Sequence, residues 1–115
     1  MRRLAKWMLA AGVGFCGSAM AVQGPMQTPL KVTGMYTNNS GGTIYVSFQN
    51  GAMPGCYNNS GGYLHSTNTM YKEIYAQLLT ITASGGIRAA VLYTQNTPTN
   101  NWSDCTIEGI YLIPE

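Results

Sequence analysis

The chain has 115 residues, of which only 9% are charged, and its formal net charge is +2 at pH 7. That length allows one domain with one modest hydrophobic core. Three of the six basic residues lie within the first six positions, so the rest of the chain offers no basic stripe to neutralise nucleic-acid phosphates or a polybasic patch for a membrane surface.

Residues 1–21 have the pattern of an export signal. Arg2, Arg3 and Lys6 are followed by an apolar run over residues 7–16 and by the small-x-small sequence at 19–21. We expect cleavage there and a single domain over residues 22–115, located outside the cell or in the periplasm. After cleavage three basic and four acidic side chains remain, a net charge of −1.

Two other interpretations of this leader are weaker. A transmembrane anchor needs about 20 apolar residues, more than this run provides. A lipoprotein would be modified at Cys16, but the residue before it, Phe15, is bulky where a small one is expected. We therefore expect no membrane span after cleavage.

Two cysteines remain in the exported part, Cys56 and Cys105. An even pair in an oxidising compartment predicts one disulfide, which would stabilise the fold by about 4 kcal/mol in the chain-entropy model. A metal site is disfavoured, because only His65 is available to join the two thiols. No cofactor is indicated.

Alternating apolar and polar residues predict a hairpin from residues 30–37 and 43–48. The turn between them is Asn-Asn-Ser-Gly-Gly at 38–42, and the same string recurs at 58–62, which we interpret as reuse of good turn chemistry. A short third strand is expected over residues 63–65.

A helix is expected next, with its N-cap within residues 67–69 and its end at Gly85-Gly86. Strands are predicted over residues 87–93 and 106–113, separated by a polar loop at 94–103 that carries Trp102. This order predicts a mostly β (β+α) fold: a small five-stranded OB-like Greek-key barrel with one helix between the third and fourth strands. The alternative is an open sheet with one helix packed across it.

Enzyme chemistry finds little support in the residues. His65 and Asp104 are the only histidine and aspartate, and no serine lies in a strand-turn-helix nucleophile setting. The glutamates are on different predicted elements and form no catalytic pair. We expect a protein that is not an enzyme, with His65 as a surface residue beside the helix start.

Binding chemistry is better represented, because tyrosines and Trp102 lie on or beside strands and loops. Aromatic faces stack on the apolar faces of sugars, whereas Asn, Thr and Ser reach their hydroxyls. Tyrosines also populate strands simply because they fit a half-buried pleat. Trp102 is the best candidate for an exposed contact, with packing against the disulfide as the alternative.

The segment Tyr71-Lys72-Glu73-Ile74, then Leu78, then Ser84-Gly85-Gly86-Ile87-Arg88, resembles the helix-to-strand passage of secreted toxin B subunits. These are the pentameric, OB-fold, glycan-binding components related to subtilase cytotoxin and pertussis-like toxins. The stretch containing Tyr36 and Thr37 is similar to the region near which that family holds sialylated sugars. The resemblance implies a glycan ligand, with Tyr36 and Thr37 as contacts.

Apolar residues occupy about half of the predicted helix circumference, more than one core requires. Under the resemblance this face would also contact neighbouring subunits of a homo-oligomer, with a pentamer expected. The alternative is a helix buried deeply in its own subunit. The candidate oligomer contacts are Met70, Ile74, Tyr75 and Leu79.

The sequence therefore predicts a secreted, oligomeric glycan-binding module that resembles a toxin B subunit. Two other functions stay open. One is a self-assembling or protein-interaction β-domain with an unidentified protein partner. The other is a small inhibitor of a secreted enzyme that would insert the loop at 94–103.

Overall fold

A computed structural model describes residues 21–38, 42–96 and 101–113. Residues 1–20 of the predicted leader, residues 39–41 of the first turn and residues 97–100 of the polar loop lie outside this range. The fold is mostly β with one helix. Its elements are β1 (Ala21–Gln23), β2 (Gln27–Leu30), β3 (Val32–Asn38), β4 (Thr43–Phe48), β5 (Gly61–His65), α1 (Tyr71–Ser84), β6 (Ile87–Gln95), a 3-10 turn (Trp102–Asp104) and β7 (Cys105–Leu112).

The strands form one sheet in the order β1-β6-β7-β5-β4-β3, with β2 also pairing with β6. All pairs are antiparallel except β5 with β7. The two ends of this path, β1 and β3, do not pair, so the sheet is an open seven-stranded one and differs from the expected closed barrel of five strands. β1 and β2 were not predicted, because Pro25 and Pro29 interrupt the alternation of apolar and polar residues that indicates a strand. Proline is tolerated on an edge strand, which is where both lie.

The other predicted elements are present with small shifts at their ends. The hairpin of β3 and β4 pairs as expected, and β6 and β7 follow the helix. The helix begins at Tyr71, after a Met70 N-cap whose side chain makes no capping bond. Asn68 supplies the predicted polar group from two residues earlier, because its Oδ1 accepts a hydrogen bond from the Met70 N–H at 2.8 Å.

The helix ends as predicted at Gly85, whose φ of 81° is the left-handed conformation that glycine adopts most easily. One face of α1 packs against the sheet through Ile74, Leu78 and Ile81. None of the helices in the described ranges is long and apolar enough to cross a membrane. The core that α1 completes also contains Leu30, Ile44, Val46, Phe48, Met53, Leu64, Val91 and Ile107.

The predicted disulfide between Cys56 and Cys105 is present, with the two Cα atoms 5.6 Å apart. Cys105 is the first residue of β7, and Cys56 lies in the loop between β4 and β5. The bond therefore fastens that loop to the start of the last strand.

Candidate functional site

Three tyrosines form a row across the sheet. Tyr36 of β3 pairs with Tyr45 of β4, and Tyr45 pairs with Tyr63 of β5. Residues in register on neighbouring strands share one face of a sheet, so the rings lie side by side. The ring centroids of Tyr36 and Tyr45 are 6.0 Å apart, and those of Tyr45 and Tyr63 are 5.7 Å apart in an edge-to-face arrangement.

Small residues lie next to this row on the same face. Gly34 pairs with Ser47, and Ser47 pairs with Gly61. A Cβ atom built on Gly61 would lie 2.7 Å from Cζ of Tyr45 and 2.6 Å from the carbonyl oxygen of Val46. One built on Gly34 would lie 3.0 Å from a ring carbon of Tyr36. Because Gly34 and Gly61 have no side chains, the rings of Tyr36 and Tyr45 can pack closely against the sheet.

Trp102 covers the middle of the row. Its ring stacks on Tyr45 with centroids 4.6 Å apart and an interplanar angle of 20°, and it lies 5.5 Å from the ring of Tyr36. Tyr45 is therefore only 5% exposed, although it is on the outer face of β4. Trp102 and Tyr36 remain 41% and 54% exposed. Two accessible rings thus rest on a third that is buried.

A capping box holds Trp102 in place. The Asn101 side chain accepts a hydrogen bond from the Ser103 N–H at 3.2 Å, and the Asp104 carboxyl accepts one from the Asn101 N–H at 3.2 Å. This reciprocal arrangement fixes the short 3-10 turn on which the indole is carried. The turn is continuous with Cys105 and its disulfide.

The disulfide brings a further aromatic residue to the same place. Tyr57 follows Cys56 in the chain, and its ring centroid is 6.4 Å from that of Trp102. Of the two predicted environments for Trp102, exposed contact or packing at the disulfide, the structure shows an exposed ring stacked on Tyr45 beside the disulfide. We call Tyr36, Tyr45, Tyr57, Tyr63 and Trp102 the aromatic platform.

The platform is electrically neutral at ordinary pH. The pKa of the Tyr45 phenol is raised from 10.0 to about 12, mainly by burial and then, in decreasing order, by the neighbouring Tyr57, Tyr63 and Tyr36. The phenols of Tyr57, Tyr63 and Tyr36 thus lie close enough to Tyr45 to act on its pKa. Each is an uncharged group that both donates and accepts hydrogen bonds.

The rim of the platform is polar. Thr43 and His65 pair across β4 and β5, and the Thr43 hydroxyl lies 3.3 Å from Nδ1 of His65. The imidazole is half-buried, with its centroid 5.9 Å from that of Tyr63. No group of three His, Cys, Asp or Glu that could hold a metal ion occurs among the described residues.

The predicted glycan contacts are only partly brought together. Tyr36 and Trp102 meet on the platform. Thr37, the next residue of β3, is exposed but pairs with the buried Ile44, so it belongs to the opposite face of the sheet. Thr37 is therefore not on the same face as the aromatic platform.

The predicted oligomer contacts also differ in their environment. Met70, Tyr75 and Leu79 are exposed on α1, whereas Ile74 is buried in the subunit's own core. Met70 and Ile74 also line an open groove of about 410 Å³ between α1 and the β6–β7 ladder. Its walls are mainly apolar, and they include Glu73 and Glu108.

The sequence contained a signal for the tyrosine row that pattern analysis missed. A hairpin closed by the pair Asn38–Thr43 places Tyr36 opposite Tyr45, because each step back along one strand is a step forward along the other. The position of Trp102 over Tyr45 had no such signal. It depends on where the disulfide docks the 3-10 turn.

No protein-family model matches the chain, and no curated protein or solved structure matches it significantly. The resemblance to toxin B subunits is therefore untested and stays a hypothesis.

Proposed function

We propose that the protein is an exported, non-enzymatic module that binds cell-surface glycans through the aromatic platform. The observation that carries the proposal is the pair of exposed rings, Trp102 and Tyr36, held 5.5 Å apart on the buried Tyr45. Aromatic rings that are fixed by packing lose little conformational entropy when a ligand stacks on them. Phenols and the Thr43 hydroxyl surround them with groups that can hydrogen-bond sugar hydroxyls.

An OB-like topology, in which the barrel is only partly closed and the sheet stays open between β1 and β3, is part of this proposal. In its support, β2 pairs with β6 and β3 pairs with β4, while only Lys31 separates β2 from β3. β2 and β3 therefore form one nearly continuous stretch of chain, which pairs with β6 near one end of the sheet and with β4 near the other. The bent first strand of such a barrel pairs with two strands in the same way. The parallel pairing of β5 with β7 and the helix between β5 and β6 fit the same topology.

The proposed route to the exterior rests on two findings. One is the disulfide, which suits an oxidising compartment. The other is the leader pattern of residues 1–21, and together they support a secreted or periplasmic location. N-terminal sequencing of the exported protein tests it, because cleavage should leave a chain that begins near Val22.

A glycan array tests the binding function. Wild-type protein should bind a subset of glycans, and Trp102→Ala should weaken that binding on the order of 30-fold, the change expected from about 2 kcal/mol at an aromatic hot spot. Tyr36→Ala should also weaken glycan binding. Tyr111→Ala is the matched control, because Tyr111 is an exposed tyrosine on β7 outside the platform. Equal binding by all variants would refute the site.

We also propose that the module self-associates through α1, with a pentamer as the expected assembly. The supporting observation is that Met70, Tyr75 and Leu79 leave apolar surface exposed on one helix. Burial of such surface in an interface is favourable at roughly 25 cal/mol per Å² before association costs are subtracted. Light scattering on the purified protein should give about five monomer masses, and Leu79→Glu should reduce that mass. A monodisperse monomer would refute the assembly.

A further inference from the structure

No lysine or arginine belongs to the aromatic platform, although the imidazole of His65 lies at its rim, 3.3 Å from the Thr43 hydroxyl. Apart from His65, the chain after position 6 has only Lys31, Lys72 and Arg88 as basic residues. Residues 39–41 and 97–100, which border the described part of the platform in sequence, contain none.

Two of the three basic residues lie far from the platform along their strands. Arg88 is near the start of β6, whereas Gln95 at its end pairs with Cys105 beside the 3-10 turn. At a rise of about 3.3 Å per residue, Arg88 and Gln95 are about 23 Å apart. Lys31 precedes β3, so the same rise places it about 16 Å from Tyr36.

Lys72 lies on α1, which packs its buried face against the core. The core side chains of β4, Ile44 and Val46, alternate with Tyr45, so α1 is on the opposite side of this part of the sheet from the platform. The ionisable residue nearest to Trp102 in the chain is instead acidic. It is Asp104, whose carboxyl belongs to the capping box.

An acidic sugar on this surface would therefore bring a carboxylate or sulfate onto neutral rings with no lysine or arginine to pair with. Removing an ion from water without a partner is costly. An uncharged sugar has no such cost: its C–H face can stack on Trp102 and Tyr36, and its hydroxyls can meet phenols and the Thr43 hydroxyl.

From this arrangement we infer that the platform takes neutral hexose-containing glycans and discriminates against their sialylated and sulfated forms. The inference rests on the proposed function and narrows it. It also departs from the sialylated ligands that the toxin resemblance implies.

The test is a set of matched glycans built on lactose and N-acetyllactosamine. Each core is presented unmodified, with a 3′-sialyl group, with a 3′-sulfo group and with a neutral 3′-galactosyl group that controls for size. Binding is measured at pH 8 for the wild-type protein, for Tyr36→Ala and for Tyr111→Ala.

The unmodified core and its galactosyl form are the neutral ligands, and the sialyl and sulfo forms are the acidic ones. We expect the wild type and the Tyr111→Ala variant to bind the neutral ligands several-fold more tightly than the acidic ones. Sialylated or sulfated forms that bind as tightly as the neutral forms would overturn the inference but leave glycan binding intact. Weak binding of the galactosyl form would overturn it as well, since size would then explain the discrimination. Absence of binding to all of these glycans would overturn both the inference and the proposed function.

Discussion

The aromatic platform and the exposed face of α1 both present large apolar side chains to solvent, but they are organised differently. On the platform, Trp102 and Tyr36 contact each other and rest on the buried ring of Tyr45. On the helix, Tyr75 and Leu79 are exposed, and neither is among the buried residues Ile74, Leu78 and Ile81 through which α1 packs against the sheet. Rigid, mutually packed rings favour a specific ligand, whereas isolated side chains suit a broader contact with another apolar surface.

The two regions also differ in the interactions that hold them in place. The platform depends on the disulfide, the capping box and the small residues beside the tyrosine row. The helix face depends on Ile74, Leu78 and Ile81, which pack beneath it. Changes to the platform should therefore alter stability and binding together, and changes to the helix face should alter neither in the monomer.

The largest effect is expected from removal of the disulfide. Replacing Cys56 and Cys105 together by serine should lower the free energy of unfolding by about 4 kcal/mol, because the bond closes a loop with a sequence separation of 49. It should also loosen Trp102 over Tyr45. Denaturant unfolding followed by tryptophan fluorescence measures both changes. Reductant should destabilise the wild type and leave the double variant unchanged; equal stability of the two oxidised proteins would contradict the account.

The next effect is expected at Gly61, where an added methyl group would meet the Tyr45 ring and the Val46 carbonyl. Because the backbone cannot yield easily, Gly61→Ala should cost about 1–3 kcal/mol and displace the ring. Gly109→Ala is the matched control: this strand glycine would place a Cβ 3.3 Å from a flexible Leu92 methyl. Thermal unfolding of both variants makes the comparison, and equal losses would rule out a special role for Gly61.

A smaller, pH-dependent effect follows from Tyr45. Its pKa is about 12 in the folded protein and about 10 in an unfolded chain, so the folded state holds the phenolic proton more tightly. The stability from this source is complete below about pH 10 and is lost as the pH rises through about 12. Tyr45→Phe should flatten this alkaline decline, as measured by urea unfolding between those pH values. An unchanged slope would show that Tyr45 does not titrate late.

The smallest effect on the monomer is expected at Leu79. Because this side chain is exposed, Leu79→Gln should change the free energy of unfolding by no more than about 0.5 kcal/mol. Glycan binding by each subunit should also be retained. Urea unfolding in dilute solution checks the first statement, and a large loss would mean that the residue packs more tightly than its exposure indicates.

The sequence predicted the local features of this fold well. Alternation identified the β3–β4 hairpin, the double glycine marked the end of α1, and cysteine parity identified the disulfide. These features depend on residues close in the chain or on a pair with no competing partner. The prolines concealed β1 and β2, because a strand at the edge of a sheet tolerates residues that sequence rules assign to loops.

The candidate site was predictable only in part. Tyr36 and Trp102 were identified individually, but their contact depends on the register of β3 with β4 and on the docking of the 3-10 turn. Tyr45, the ring beneath both, was one of several strand tyrosines among the possible aromatic contacts and was not selected, because its strand position explained it sufficiently. Its burial arises from Trp102, which is 57 positions away in the printed sequence.

The central claim is that the platform is a glycan-binding surface, and NMR tests it most directly. A neutral glycan chosen from the array is titrated into the protein while the aromatic side-chain resonances are followed. The account predicts saturable shifts at Trp102, Tyr36 and Tyr45, with Tyr111 and Tyr75 unaffected. Saturable shifts at Tyr111 or Tyr75 with none on the platform would contradict it.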